Sequence, residues 1–359
     1  LEDLVSTDGP VKLVAESGSI TIESGSDSAF GIEAGGDILL EARGNESDVI
    51  INGHLVSAGG HITLDAGREV DLNATLTTSG DGTVVVLSGG DTAIDDSIAT
   101  IDGDVLINST GSIRQTASIT STTGDIGLLA GGRIEQDANG DITSANGDVL
   151  IDAGGDWTMA GDAVVSVGGQ DLLGRSGGTI TLGVLRMTND SANRVALDAG
   201  IDILDGNVAG TNIEETITGS ETSVSLRSGG VIGGAGATSS STNTAAIDLV
   251  VDVVAASSVL GIYLRELNSG GDIRVDTAAA VSVDVEGVVR SNFNSTTSDA
   301  SQDASIDSLE DLVSTDGPVK LVAESGSITI ESGSDSAFGI EAGGDILLEA
   351  RGTSHDVIV

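Results

Sequence analysis

One short phrase recurs along this chain: a glycine, a polar residue, apolar residues set two apart, and a glycine again. It reads GSITIESG at residues 18–25, GDILLEARG at 36–44, GHITLDAG at 60–67, GTVVVLSG at 82–89, GDIGLLAG at 124–131 and GDVLIDAG at 147–154. Apolar residues at every second place give the period of a β-strand with one buried face. The first apolar positions, Ile20, Ile38, Ile62, Val84, Val105, Ile126 and Val149, step by 18, 24, 22, 21, 21 and 23 residues. A strand that returns at this spacing, with weaker strands and Gly-containing turns between, predicts a solenoid. One winding cannot bury its apolar row alone. Stacked windings set aliphatic on aliphatic and pair each strand with those above and below. The expected fold is all-β, a parallel β-solenoid with about 20–22 residues per coil, extended as a rod. At a strand spacing of about 4.8 Å, some fourteen coils would give a rod of roughly 70 Å per module.

A longer repeat overlies the short one. Residues 1–44 recur letter for letter at 309–352, an offset of 308 residues. The expected organisation is one module of coils over 1–290, a Ser/Asp-rich loop or linker at 291–308, and the start of the next copy at 309–359. Because residue 1 falls inside a repeat, the chain reads as a stretch of a longer tandem array. From about Gly161 the rhythm loosens. Stretches 205–222 and 233–244 read as loops leaving the solenoid, and the Val-rich runs 246–256 and 278–289 as strands of less regular coils.

Charge narrows the partners. With 56 acidic and 14 basic residues the net charge is −42. Phosphate neutralisation needs clustered Lys and Arg, so neither nucleic acid nor an anionic membrane surface is an expected partner. No apolar run reaches the 18 or so residues of a membrane span, so no membrane insertion is expected. The absence of Cys excludes disulfides and thiolate metal sites. Aromatic residues make up only 1% of the chain, which suits a narrow, layered interior of Val, Ile, Leu and Ala.

The phrases at 35–44, 59–67 and 147–159 (GDVLIDAGGDWTM) resemble the repeats of filamentous-haemagglutinin-type adhesins and related giant tandem-repeat bacterial surface proteins. The resemblance covers residues 1–200 well and the rest loosely. It implies a right-handed parallel β-helix, export to the cell surface, and a role as a stalk or adhesive fibre.

Several residues are candidate sites. Asp91, Asp95, Asp96, Asp102 and Asp104 form one acidic cluster, and Asp137, Asn139 and Asp141 another. Alternating oxygen ligands suit Ca²⁺, but neither cluster matches a calcium loop, and solvated turn carboxylates explain both. No cofactor is expected beyond that calcium candidate. His54, His61 and His355 read as turn residues, since His355 stands where the first copy has Ser47. Gly-rich 229–236 lacks the Lys-Ser/Thr ending of a phosphate loop and reads as a turn. Trp157 reads as an inward side chain beside Met159. Asn45, Asn73, Asn108, Asn189 and Asn294 head Asn-x-Ser/Thr triplets and are candidate glycosylation sites.

The function expected is a structural or adhesive segment of an extracellular fibre, without catalysis. Its partners would be copies of itself end to end, or the next covalent repeat, and a surface glycan or matrix. The alternatives are a receptor- or glycan-binding solenoid using loops 205–222 and 233–244, and a polysaccharide-degrading enzyme on the same scaffold. The enzyme lacks aromatic platforms and clustered basic residues.

Overall fold

The computed structural model describes the chain except residues 1–2, 27–28, 170, 190–191, 208–209, 218–220, 235–244, 268–270, 291–296, 332–337 and 353. The described residues contain strands and no helix. They divide into two compact units, Leu1–Gly155 with Val283–Ala304, and Asp156–Ser282 with Ser305–Val359.

Unit one is a parallel β-solenoid. A typical coil has one long strand, Ile62–Ala66, and two short ones, Val70–Leu72 and Leu76–Thr78. The next coil begins with Val84–Ser88, which lies parallel on the first with Val84 opposite Ile62 and Val86 opposite Leu64. The register continues through Val105, Ile126 and Val149. Alternation turns Ile62, Leu64 and Ala66 inward, and Ile38, Ile62, Val84, Val105, Ile126 and Val149 form a column with no exposed surface. Burial of each such side chain contributes roughly 1.5–3 kcal/mol, so the column outweighs the modest strand propensity of any one coil.

The polar letters of the phrase have structural work. From Gly60 to Gly147 the glycine before each long strand of this unit sits under another backbone: a Cβ on Gly124 would lie 2.3 Å from the Gly103 carbonyl oxygen, and one on Gly147 would lie 2.4 Å from that of Gly124. Only a residue without a side chain fits this corner. The Asp after it accepts the amide of its counterpart one coil on. Asp125 N donates to Asp104 at 2.8 Å, and Asp148 N donates to Asp125 at 2.7 Å. An inward serine closes another corner: Ser144 Oγ donates to the Gly124 carbonyl and accepts the Gly147 amide, both at 2.8 Å. Inside the solenoid, buried Gln136 donates from Nε2 to Gln115 Oε1 at 3.3 Å and to the Gly140 carbonyl at 3.0 Å. These bonds satisfy groups that burial would otherwise leave unpaired.

Unit two keeps the three-strand coil. Its long strands Asp171–Ser176, Asn193–Ala199, Thr222–Ser228 and Val253–Ser258 stack in parallel where their registers are given. Trp157 and Met159 point inward and are buried. The indole is accommodated by Gly174, where a Cβ would come within 2.6 Å of Trp157 Cζ3 and 2.8 Å of Leu197 Cδ2. Stretch 205–222 is more than a loop. It contains the strand Ile213–Glu215, paired with Val184–Met187 and Ile247–Val250, because Ile213 fills an inward place. Most of 233–244 lies outside the described residues.

Coil length varies, from 21 residues between Val84 and Val105 to 27 between Val11 and Ile38 and 30 between Val224 and Val254. The first copy therefore holds eleven long strands among the described residues, fewer than uniform spacing predicts.

At the end of the first copy the sides of the coil are exchanged. Gly261–Glu266 spans two short columns, lying on Val231–Ile232 with one half and on Ile247–Val250 with the other. The opposite long strand, Val253–Ser258, carries two short strands, Ile273–Val275 and Leu312–Ser314. The second copy's long strand, Val319–Ala323, then stacks on Gly261–Glu266. The ladders thus run from the first copy into the second, with the long side moved to the other flank.

The chain leaves the coil between Val275 and Leu312. Ala278 and Leu309 close the neck by exchanging backbone hydrogen bonds of 2.8 and 3.0 Å. The Val-rich run 278–289 does not join the coils as expected. Val281–Val285 pairs with Gln302–Ile306 in a separate two-stranded sheet, and Val288–Arg290 pairs antiparallel with Thr297–Asp299. Within 291–308, the described part is thus mostly strand. We call this excursion the strap.

Candidate functional site

The outward side of unit one's long strands is unusually apolar. Between the inward residues stand Leu39, Thr63, Val85, Leu106, Gly127 and Leu150, and all are buried. A strand apolar on both faces needs cover on both. Strap residues Val283, Val285 and Ala304 are buried, while Asp284, Glu286 and Asp303 between them are exposed. Val285 sits over Gly127, where a Cβ would meet its Cγ2 at 3.1 Å. Gly287 in turn comes close to Leu106, with a Cβ there 2.8 Å from Leu106 Cδ2.

Beside this seat runs the ladder Asp104, Asp125 and Asp148. Asp104 accepts the Glu286 amide at 2.8 Å as well as that of Asp125. Burial pushes the Asp125 carboxyl up to about 7, helped by the charges of Asp104, Asp148 and Asp284 and opposed by the Asp148 amide. Burial raises Asp104 too, with Glu286 and Asp284 adding to the effect. Asp284 is raised first by its hydrogen bond with Asp303. Acids of three successive coils and of the strap therefore meet along one edge, and at Asp104, Asp125 and Asp284 the neutral form is favoured.

In unit two, the strap's base is held differently. Arg227 Nη2 donates to the carbonyls of Asp307 and Ser308 at 2.8 and 2.9 Å, and Arg175 donates to that of Ser305. The Ser282 amide faces Asp171, itself paired with Arg194 at 2.6 Å.

Of the acidic clusters proposed for calcium, the first is divided among three turns (Asp91; Asp95 and Asp96; Asp102 and Asp104), while Asp137, Asn139 and Asp141 lie in one turn between Ile134–Gln136 and Ile142–Ser144. Asp91 accepts the Ser112 amide at 2.7 Å, Asp96 the Ser97 amide at 2.7 Å, and Asp102 the Thr123 hydroxyl at 2.9 Å. Asp95 is paired with Arg114 at 2.8 Å and Asp104 belongs to the ladder. Asp137 accepts the Ala138 amide at 2.6 Å, Asn139 is exposed, and the Asp141 carbonyl accepts the Ile119 amide at 2.8 Å. Among the described residues no three His, Asp or Glu side chains are arranged to hold a metal ion. His54 and His61 cap turns through Nδ1, against Thr75 at 2.6 Å and Thr83 at 2.9 Å, and His355 is half-buried.

Of the asparagines, Asn45 and Asn73 are exposed, the latter donating to Asn52 at 3.0 Å. Asn108 is half-buried, Asn189 donates to the Gly169 carbonyl at 3.1 Å, and Asn294 lies outside the described residues. Sequence reasoning missed the strap seat, although Leu39, Val85, Leu106 and Leu150 at outward places announced a second covered face.

No family model, no curated protein and no solved structure matches the chain.

Proposed function

We propose that this chain is a structural and adhesive segment of an extracellular tandem-repeat fibre or bacterial surface stalk, without catalysis. One observation carries the reading: the strands of the second copy, from Leu312–Ser314 onward, lie directly on the last strands of the first. Copies joined this way extend one hydrogen-bonded stack, as a load-bearing solenoid requires. The phrase-level resemblance to filamentous-haemagglutinin-type adhesins supports placing it at a cell surface. The net charge of −42 supports a fibre that repels its neighbours laterally.

The test is electron microscopy of chains carrying one, two and three modules. Copies that stack on one another predict particles that lengthen by a constant step with each added module. Globules joined at variable angles would sink the stalk. Retention on glycan or matrix surfaces tests the adhesive half, and turnover of an acidic polysaccharide would overturn the non-catalytic one.

A further inference from the structure

We propose that the edge formed by Val253–Ser258, Gly261–Glu266 and Ile273–Val275 is an exchangeable seat: it takes the opening coil, residues 3–23, of a second molecule of this chain in place of its own second copy. The inference rests on the stacking of copies read above and adds a partner to it. Within one molecule the second copy fills the seat. Val313 lies opposite Ser257, Leu321 opposite Leu264 and Thr329 opposite Arg274. All three strands are tied at both ends. The amides of Ala256, Ile262 and Ile273 donate to the carbonyls of Asp311, Pro318 and Ser327 at 2.8, 2.9 and 3.0 Å. In return the amides of Thr315, Glu324 and Glu331 donate to those of Ser258, Glu266 and Val275 at 3.1, 2.9 and 3.0 Å.

Every second-copy residue in this contact has the same letter 308 positions earlier; Asp311, Leu321 and Glu331, for instance, answer to Asp3, Leu13 and Glu23. The opening coil of a second molecule therefore offers the seat the same strands, in the same register, with the same backbone donors and acceptors. One sequence in two settings shows how the coil is shaped for the seat. Leu312, Ser314, Leu321 and Val322 have no exposed surface, whereas Leu4, Ser6 and Leu13 are half-buried and Val14 is 37% exposed. A Cβ on Gly317 would collide with the Leu260 carbonyl, so the seat demands a glycine there. A Cβ on its counterpart Gly9 would meet only Ser6 Oγ, at 3.4 Å.

Because the contacts are the same, concentration decides the occupant. A tethered coil competes at an effective concentration of about 1 mM, so at about 10 μM a second molecule would take roughly one seat in a hundred. Exchange prevails where the resident copy is weakened or molecules are crowded. Each molecule gives one opening coil and offers one seat, a head-to-tail contact that propagates from chain to chain.

The experiment is cross-linking of full chains, which have no cysteine of their own. Ser257→Cys with Val313→Cys in one molecule is the control, and a short bismaleimide should join the two internally. For exchange, a donor with Val5→Cys, the counterpart of Val313, is mixed at about 10 μM with an acceptor carrying Ser257→Cys and Leu321→Asp. The aspartate sets a charge at a buried place of the resident copy and leaves the donor's Leu13 intact. A cross-linked pair of the two chains should form, about tenfold or more above that with an acceptor that keeps Leu321, and Leu13→Asp in the donor should abolish it. No internal cross-link would sink the stacking of copies itself. An internal cross-link without the mixed pair, or a mixed pair indifferent to Leu13→Asp, would overturn exchange and leave stacking standing. If Leu321→Asp unfolds the seat as well, the acceptor that keeps Leu321 decides. Its mixed pair must then rise with concentration from about 10 μM to about 1 mM, and a yield that stays flat overturns the proposal.

Discussion

Replacing Gly174 with Ala isolates the packing of the largest side chain in unit two. Trp157 has no exposed surface, and the missing Cβ of Gly174 leaves the space its six-membered ring fills. An added methyl would lie 2.6 Å from Trp157 Cζ3 and 2.8 Å from Leu197 Cδ2, well inside contact distance. The indole would have to tilt within a column of stacked coils, where neighbours above and below limit relaxation. Overpacking of this kind costs about 1–3 kcal/mol. In a Trp157→Leu background the ring is gone and only the Leu197 contact remains, so the same change should cost less than about 1 kcal/mol. The expected coupling between the two positions is about 1–2 kcal/mol. Urea unfolding of all four proteins, followed by far-ultraviolet circular dichroism, gives the cycle. Fluorescence of Trp157, the chain's one tryptophan, tracks the same region in the two proteins that retain it. Equal costs of Gly174→Ala in the two backgrounds would refute the reasoning.

Two further outcomes test the polar parts of the fold. Ser144→Ala should lose about 1–3 kcal/mol, because its hydroxyl bridges buried backbone groups of two coils. By contrast, Thr63→Val should be neutral or stabilising in the same unfolding assay, since the buried Thr63 Oγ1 has no hydrogen-bond partner. Acidic groups should also pull the stability in opposite directions with pH. Hydrogen bonds from Arg68 hold Asp48 below the usual carboxylate range, so its contribution is present at neutral pH and lost as pH falls through that range. Asp125, raised to about 7, contributes most at low pH and loses that contribution as pH rises to about 7. Asp125→Asn should therefore raise the urea midpoint near pH 8 and converge with wild type near pH 4; convergence at both ends would contradict the assignment.

The solenoid was legible because its signal is local. Ile62, Leu64 and Ala66 declare a strand within five residues, and the phrase returns within one coil. The strap was not legible, because its contacts join residues as distant as Asp104 and Glu286, 182 positions apart. Val281, Val283 and Val285 alternate like any coil strand, and nothing nearby says that their partner lies elsewhere. Acid clusters illustrate a related point. Asp91 and Asp95 are neighbours in sequence, but the strand Thr92–Ile94 separates them onto different corners. The spacing that unites carboxylates is one coil, as with Asp104, Asp125 and Asp148. The side exchange escaped notice because it depends on counting every short strand. Ile98–Ala99 and Val231–Ile232, only two residues each, leave almost no pattern to count.

That exchange determines how a repeated chain addresses its surroundings. Gly261–Glu266 gathers two narrow sides into one, and Val253–Ser258 divides one broad side into two. A molecule that recognises the broad side would meet it on one flank in one copy and on the reverse flank in the next. Binders of that kind, engaging successive copies, would grip the array from alternating directions and could tie two neighbours to it at once.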